Sequence, residues 1–221
     1  MVSKQLIVAI DGPSGAGKGT VSRGVAARLG YRHIDTGAMY RALAWKAGHD
    51  GIDLLNESEV AALGDRAVFD VEGGRIRIDG HDVASAIRTP EMDKAAAAVA
   101  RHPAVRRVLV ARQRSYGESG GVVMEGRDIG TVVFPGADVK IYLDASPEER
   151  ARRRAADVAH SSSKNAQLSD VATALADRDR SDSTRAASPL SVAADAVLID
   201  TTGLSVDAVI DRVLALVADR L

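Results

Sequence analysis

The chain has no cysteine among its 221 residues, which excludes disulfides and thiolate-bound metals as supports for the fold. Aromatics are scarce at 3%, so the core must rest on Val, Leu, Ile and Ala. Neither sign of charge dominates: 29 Lys and Arg stand against 30 Asp and Glu. That balance argues against a general nucleic-acid or membrane-surface binder, and any basic site must be a local concentration. Long hydrophobic runs are missing as well. The amino-terminal apolar run is short and interrupted by Asp11, which predicts neither a signal peptide nor a membrane span and makes a cytoplasmic protein the expectation. The length suits one domain with embellishments.

What is present is most distinctive near the start. The run Gly12, Pro13, Ser14, Gly15, Ala16, Gly17, Lys18, Gly19, Thr20 follows an apolar stretch, Leu6–Asp11, that reads as a buried strand. Val21, Val25 and Leu29 then recur at helical spacing, with Gly30 as a stop. Strand, glycine-rich turn and helix together describe a phosphate-binding loop. Its glycines turn backbone N–H groups inward, the helix start adds its positive dipole end, and Lys18 adds a full charge near the outer phosphates. The expected ligand is a nucleoside triphosphate. Gly19 separates Lys18 from Thr20, so the hydroxyl arrives one residue later than in the general G-x-x-x-x-G-K-[ST] pattern. It is thereby displaced from the usual magnesium-binding position, and Thr20 is only a candidate metal ligand.

Further apolar runs at 32–35, 122–124, 139–143 and 197–199 read as strands, several continuous enough for burial on both faces. Helical patterns lie between them. Ser146-Pro-Glu-Glu149 is a well-formed helix start, and Val206, Val209, Ile210, Val213, Leu214 and Val217 make one stripe. The alternation predicts an α/β protein with a parallel five-stranded sheet flanked by helices. Two regions break the rhythm. Residues 67–79, with Gly73-Gly74 at the turn, read as a β-hairpin with one wet face in an inserted antiparallel subdomain. Residues 159–167, centred on Ser161-Ser-Ser-Lys-Asn165, read as a loop tip between helices.

Arginines supply the other clue. Arg150, Arg152, Arg153 and Arg154 crowd one segment, where they suit a transferring phosphoryl group; a solvated helix face is the alternative. Leu168, Val171, Leu175, Arg178, Asp182 and Arg185 are spaced to share one helix face, as core packing that passes into a cleft; a structural ion-pair network is the alternative, and Arg185 sits near the end. Arg127 and Asp128 follow a predicted buried strand and so lie where open α/β sheets bind ligands. Asp35-Thr-Gly-Ala-Met-Tyr-Arg41 has the same character.

With Gly-Lys-Gly-Thr20, Ile87-Arg-Thr89, Pro103-Ala-Val-Arg106, Gly126-Arg-Asp-Ile-Gly-Thr-Val-Val-Phe-Pro135, Arg178-Asp-Arg-Ser-Asp182 and Arg185-Ala-Ala-Ser-Pro-Leu190, the chain resembles the bacterial-type cytidylate kinases over nearly its whole length. The resemblance implies a single P-loop kinase domain: core 1–35, 117–150 and 168–221, a monophosphate-binding insertion 36–116 of antiparallel strands and helices, and a short helical lid 151–167. It implies transfer of the γ-phosphate of ATP to CMP or dCMP with Mg²⁺, by a monomer that needs neither nucleic acid nor membrane. Residues 12–20 would bind ATP. Thr36, Arg41, Arg106, Arg127, Asp128, Arg178, Asp182 and Arg185 would bind the acceptor: Arg41, Arg127 and Arg185 its phosphate, Arg178 and Asp182 its ribose, Arg106 and Asp128 the cytosine edge. Lys18, Arg127, Arg152 and Arg154 would serve the transfer. The insertion and residues 159–167 would close over bound substrates. One family serine that contacts the base is matched here by Ala97. A kinase for another monophosphate or small metabolite, and a nucleotide-triggered regulator or ATPase, stay open as alternatives.

Overall fold

The computed structural model describes residues 5–71, 75–157 and 167–221. From β1 (Ile7–Asp11) the chain passes through the glycine loop into α1 (Lys18–Leu29), then β2 (Arg32–Asp35) and α2 (Thr36–His49). α3 (Glu57–Arg66) precedes three short strands, β3 (Phe69–Asp70), β4 (Arg77–Ile78) and β5 (His81–Asp82). α4 (Pro90–Val99) and α5 (Pro103–Ser115) lead back to β6 (Val122–Glu125), followed by a π-helical turn (Ile129–Val133) and β7 (Val139–Asp144). α6 (Pro147–Ala156), α7 (Leu168–Ser183), β8 (Val197–Asp200) and α8 (Val206–Ala218) complete the order. The expected serine-rich tip and the Gly73-Gly74 turn lie outside the described residues.

The five longer strands form a parallel sheet in the order β2-β6-β1-β7-β8. Residues 8–10 of β1 are fully buried because both sheet faces are covered. Their alternation divides the core: Val8 and Ile10 join Val21, Val25, Val209 and Val213, whereas Ala9 joins Ile34, Met39 and Leu43. Each fully buried Ile or Leu contributes about 1.5–3 kcal/mol of transfer free energy. The short strands pair antiparallel as β3-β4-β5, with Ile78 buried and Arg77 exposed, so the expected wet face is real.

Caps set the helix starts that matter. Asp35 accepts from the Ala38 N–H at 2.9 Å, Thr89 from Met92 at 3.2 Å and Ser146 from Glu149 at 3.2 Å. Two sequence expectations need correction. β8 is an edge strand, and only Ile199 of its apolar run is buried; burial on both faces belongs to the central strands. On α7 the apolar half of the stripe is shallow: Leu168 is exposed and Leu175 alone is buried, because α7 lies over α6 rather than over the sheet. α7 ends at Ser183, so Arg185 lies beyond it.

Candidate active site

Strand β1 lies where the chain order of the sheet reverses, between β6 and β7, and a cleft of about 650 Å³ opens beyond the carboxyl ends of these strands. The phosphate loop forms one wall. At Gly12, φ is 144° and a Cβ would come within 2.0 Å of the Leu143 carbonyl oxygen, so glycine is required there. Gly17 caps α1 from the left-handed region (φ 91°) without a side chain, which leaves the helix start open to an anion. Lys18 is buried, and its ammonium donates to the Pro13 carbonyl at 2.7 Å. Burial first, and the nearby Arg127 second, push its pKa down to about 7. Arg150 braces the loop from below: it donates to the Ser14 carbonyl at 3.2 Å and pairs with Asp179.

The opposite wall is a set of arginines, each with a carboxylate. Arg41 holds Asp35 at 3.1 Å. Arg127 donates through Nε to Asp182 at 2.9 Å, and Arg185 approaches the same carboxylate at 3.8 Å. Burial raises the pKa of Asp182, but Arg127, Arg178 and Arg185 outweigh it and hold the carboxyl below its ordinary value. Although Arg185 lies past the end of α7, the chain folds back there: Leu190 donates to the Asp182 carbonyl and Arg185 to that of Ser188, both at 2.9 Å. Deeper in the cleft, Arg106 from α5 pairs with Asp128 in a buried couple, and its guanidinium lies 5.5 Å from the Tyr40 ring centroid. Ala97 lines the same cleft.

The cleft wall gathers expected site residues from several stretches of chain: 14–20, Thr36 and Arg41, Arg106, Arg127 and Asp128, Arg152 and Arg154, Arg178 and Asp182, and Arg185, whereas Gly12 and Pro13 do not line it. Their settings differ from expectation in three respects. The Thr36 hydroxyl is committed to the Glu125 carbonyl at 2.7 Å. Arg152 is largely exposed and clasps Glu149 at 2.7 Å. Arg153, rather than Arg152, reaches inward, from Glu149 at 2.8 Å to the Thr201 hydroxyl and carbonyl at 2.8 and 2.7 Å.

The cytidylate kinase family model matches residues 8–219. This chain belongs to the cytidylate kinase family. It is 48% identical over 218 residues to a cytidylate kinase of Solibacter usitatus, covering 98% of this chain and 94% of that protein. It is 49% identical over 216 residues to one from Pelotomaculum thermopropionicum, covering 96% and 95%. Among solved structures, a shikimate kinase from Bacteroides thetaiotaomicron (TM-score 0.52, 11% identity, 97% and 99% of the two chains) and a gluconokinase from Sinorhizobium meliloti (0.51, 15%, 97% and 93%) share the fold.

Within this family member, three features of the cleft had no sequence signal. Asp93 reads as an ordinary first-turn acid of α4, yet it is buried among arginines. Leu204 in the turn before α8 and Val206 at its first position give the cleft an exposed apolar lining. Asp11 accepts from the N–H groups of Ile129 and Gly130 at 2.8 and 2.7 Å. It thereby ties the base of the phosphate loop to the segment after Arg127 and Asp128.

Burial raises the Asp11 pKa to about 6 despite those two hydrogen bonds. Since this lies above the ordinary 3.8, the folded chain holds an extra proton between about pH 4 and 6 and stability falls as pH rises through that window. The difference in Tm between wild type and Asp11→Asn should therefore shift against the wild type from pH 4 to 6. A difference constant with pH would contradict the assignment.

Proposed function

We propose that the chain transfers the γ-phosphoryl group of ATP to CMP or dCMP, giving ADP and CDP or dCDP. The observation that carries this reading is the pairing, in one cleft, of a phosphate loop with a facing set of arginines beside the buried Arg106–Asp128 couple. Residues 12–20 hold the donor's phosphates, and the apolar lining at Leu204 and Val206 suits its adenine. Arg41, Arg127 and Arg185 hold the acceptor's phosphate, and Arg178 and Asp182 its ribose. Asp128 accepts from the exocyclic amine of cytosine, and Arg106 donates to its acceptor edge. A uracil would turn a carbonyl oxygen toward the carboxylate instead. Thr36 lines the acceptor side, and Ala97 contributes no hydrogen bond there.

An acceptor phosphate oxygen attacks Pγ in line; the bond from Pγ to its bridging oxygen breaks, and ADP leaves with the electron pair. No general base is required, because a phosphate monoester is already largely ionised near neutral pH. Alignment and charge neutralisation do the work. Lys18 follows the transferring group from the donor side, and Arg127, Arg154 and Arg152 complete the neutralisation. Among the described residues no group of three or more His, Asp or Glu is arranged as a metal cage. Thr20 lines the cleft. A single hydroxyl donor of this kind fits Mg²⁺, which takes most of its ligands from phosphates and water. When bound, the ion would shield the donor's phosphate oxygens. Among the described residues no helix is long and apolar enough to cross a membrane. The reading has a monomer acting on small molecules in the cytoplasm, without nucleic acid or membrane.

Asp128→Asn tests the acceptor. It keeps the shape beside Arg106 but removes the charge, whereas Asp128→Ala would strand a buried cation at about 3–5 kcal/mol. The ratio of kcat/KM for CMP over UMP should fall by about 10-fold or more. An equal loss with every monophosphate would sink the base-reading role.

A further inference from the structure

Asp93 gathers arginines from three helices. Arg178 on α7 reaches its Oδ1 at 3.1 Å, Arg154 on α6 pairs with its Oδ2, and Arg41 on α2 stands 3.8 Å from Oδ1. The carboxylate is buried, and it sits in the first turn of α4, where the helix dipole adds to its stability as an anion. Arg178 needs such a partner. Burial first, and repulsion from Arg127 second, push its pKa down, while Asp93 opposes both. These contacts also join parts of the chain that lie far apart in sequence. Asp93 and Arg41 belong to the helices inserted between β2 and β6, whereas Arg154 and Arg178 belong to helices after β7.

We infer that Asp93 is a positioning residue for phosphoryl transfer: it draws Arg154 and Arg178 onto the start of α4, so that arginines from both sides of the cleft face the reacting phosphates as one set. The inference rests on the reading of Arg154 given above. Without the carboxylate, Arg41, Arg154 and Arg178 form a cationic cluster with mutual repulsion, and Arg154 loses its pairing with the start of α4. The Asp93 partners Arg41, Arg154 and Arg178 belong to α2, α6 and α7 rather than to the phosphate loop, so the expected effect falls on transfer more than on donor binding.

A double-mutant cycle in the full chain tests this. Asp93→Asn, Arg154→Ala and the double variant are assayed for kcat with CMP and for KM of ATP and CMP, alongside Tm. Asp93→Asn should lower kcat about 10-fold and Arg154→Ala about 100-fold, with the double variant no worse than Arg154→Ala, as for residues acting as a unit. The KM of ATP should stay within about two-fold of wild type, and Asp93→Glu should recover part of kcat. An unchanged kcat in Asp93→Asn, or multiplicative losses in the double variant, overturns the positioning role while leaving the kinase reading intact. A merely structural bridge would lower Tm and leave kcat alone. If Arg154→Ala keeps full activity, the role given to Arg154 fails, and the inference about Asp93 falls with it.

Discussion

Replacing Lys18 by alanine will lower the rate of phosphoryl transfer by on the order of 10³-fold with every acceptor, while the fold survives. The size of the loss follows from its setting. Lys18 is buried at the start of α1, and its side chain donates to the loop's own Pro13 carbonyl, so its position is preset with little reorganisation left. The same burial predicts a proton signature. With a pKa near 7, the amine is largely neutral at pH 8 in the free protein. Bound phosphates restore the charge, so ATP binding at pH 8 should take up a proton, read by calorimetry in buffers of different ionisation enthalpy. The stability sign is fixed as well. Between about pH 7 and 10.5 the unfolded chain binds a proton that the folded chain does not, so the folded state gains stability as pH rises through that window. Lys18→Ala should abolish both effects. Unchanged proton uptake in the variant would show that the charge lies elsewhere.

Arg127→Ala should reduce kcat/KM for CMP by about 10³-fold and leave ATP affinity within a few-fold of wild type. Arg127 stands between the two halves of the cleft. Its Nε donates to Asp182 at 2.9 Å and its Nη1 to the Gly126 carbonyl at 3.3 Å, which fixes the planar fork on the cleft wall where a phosphate would meet it, a geometry that lysine cannot reproduce. Arg127→Lys is therefore expected to rescue little. Arg127 is also the second cause of the lowered Lys18 pKa, so its loss should raise that value and move the proton uptake on ATP binding to higher pH. Parallel loss of ATP binding and CMP turnover would mean that Arg127 serves the donor side instead.

The legible part of the site was the part written in local sequence. Glycines at 12, 15 and 17 announce a turn with positive φ, and the apolar flanks announce its strand and helix, so the donor half could be read directly. Arg127 and Asp128 could be placed because they follow the buried strand β6. Ser146 and Pro147 marked the start of α6 for the same local reason. Features set by long-range packing were not legible. The partners of Asp93 lie 52 to 85 residues away along the chain, and nothing in Pro90-Glu-Met-Asp93 distinguishes it from a solvent-facing first turn. The inward reach of Arg153, in place of Arg152, depends on where Thr201 comes to rest after β8. Leu168 shows the limit of periodicity: the spacing was helical, but what the face packs against decides its burial.

The identity of the acceptor decides what this enzyme does. The direct test is ADP release from ATP with CMP, dCMP, UMP, AMP and GMP supplied separately to the full chain. Clear preference for CMP and dCMP is the predicted result. Preference for any other monophosphate, or ADP release indifferent to all five, would contradict it.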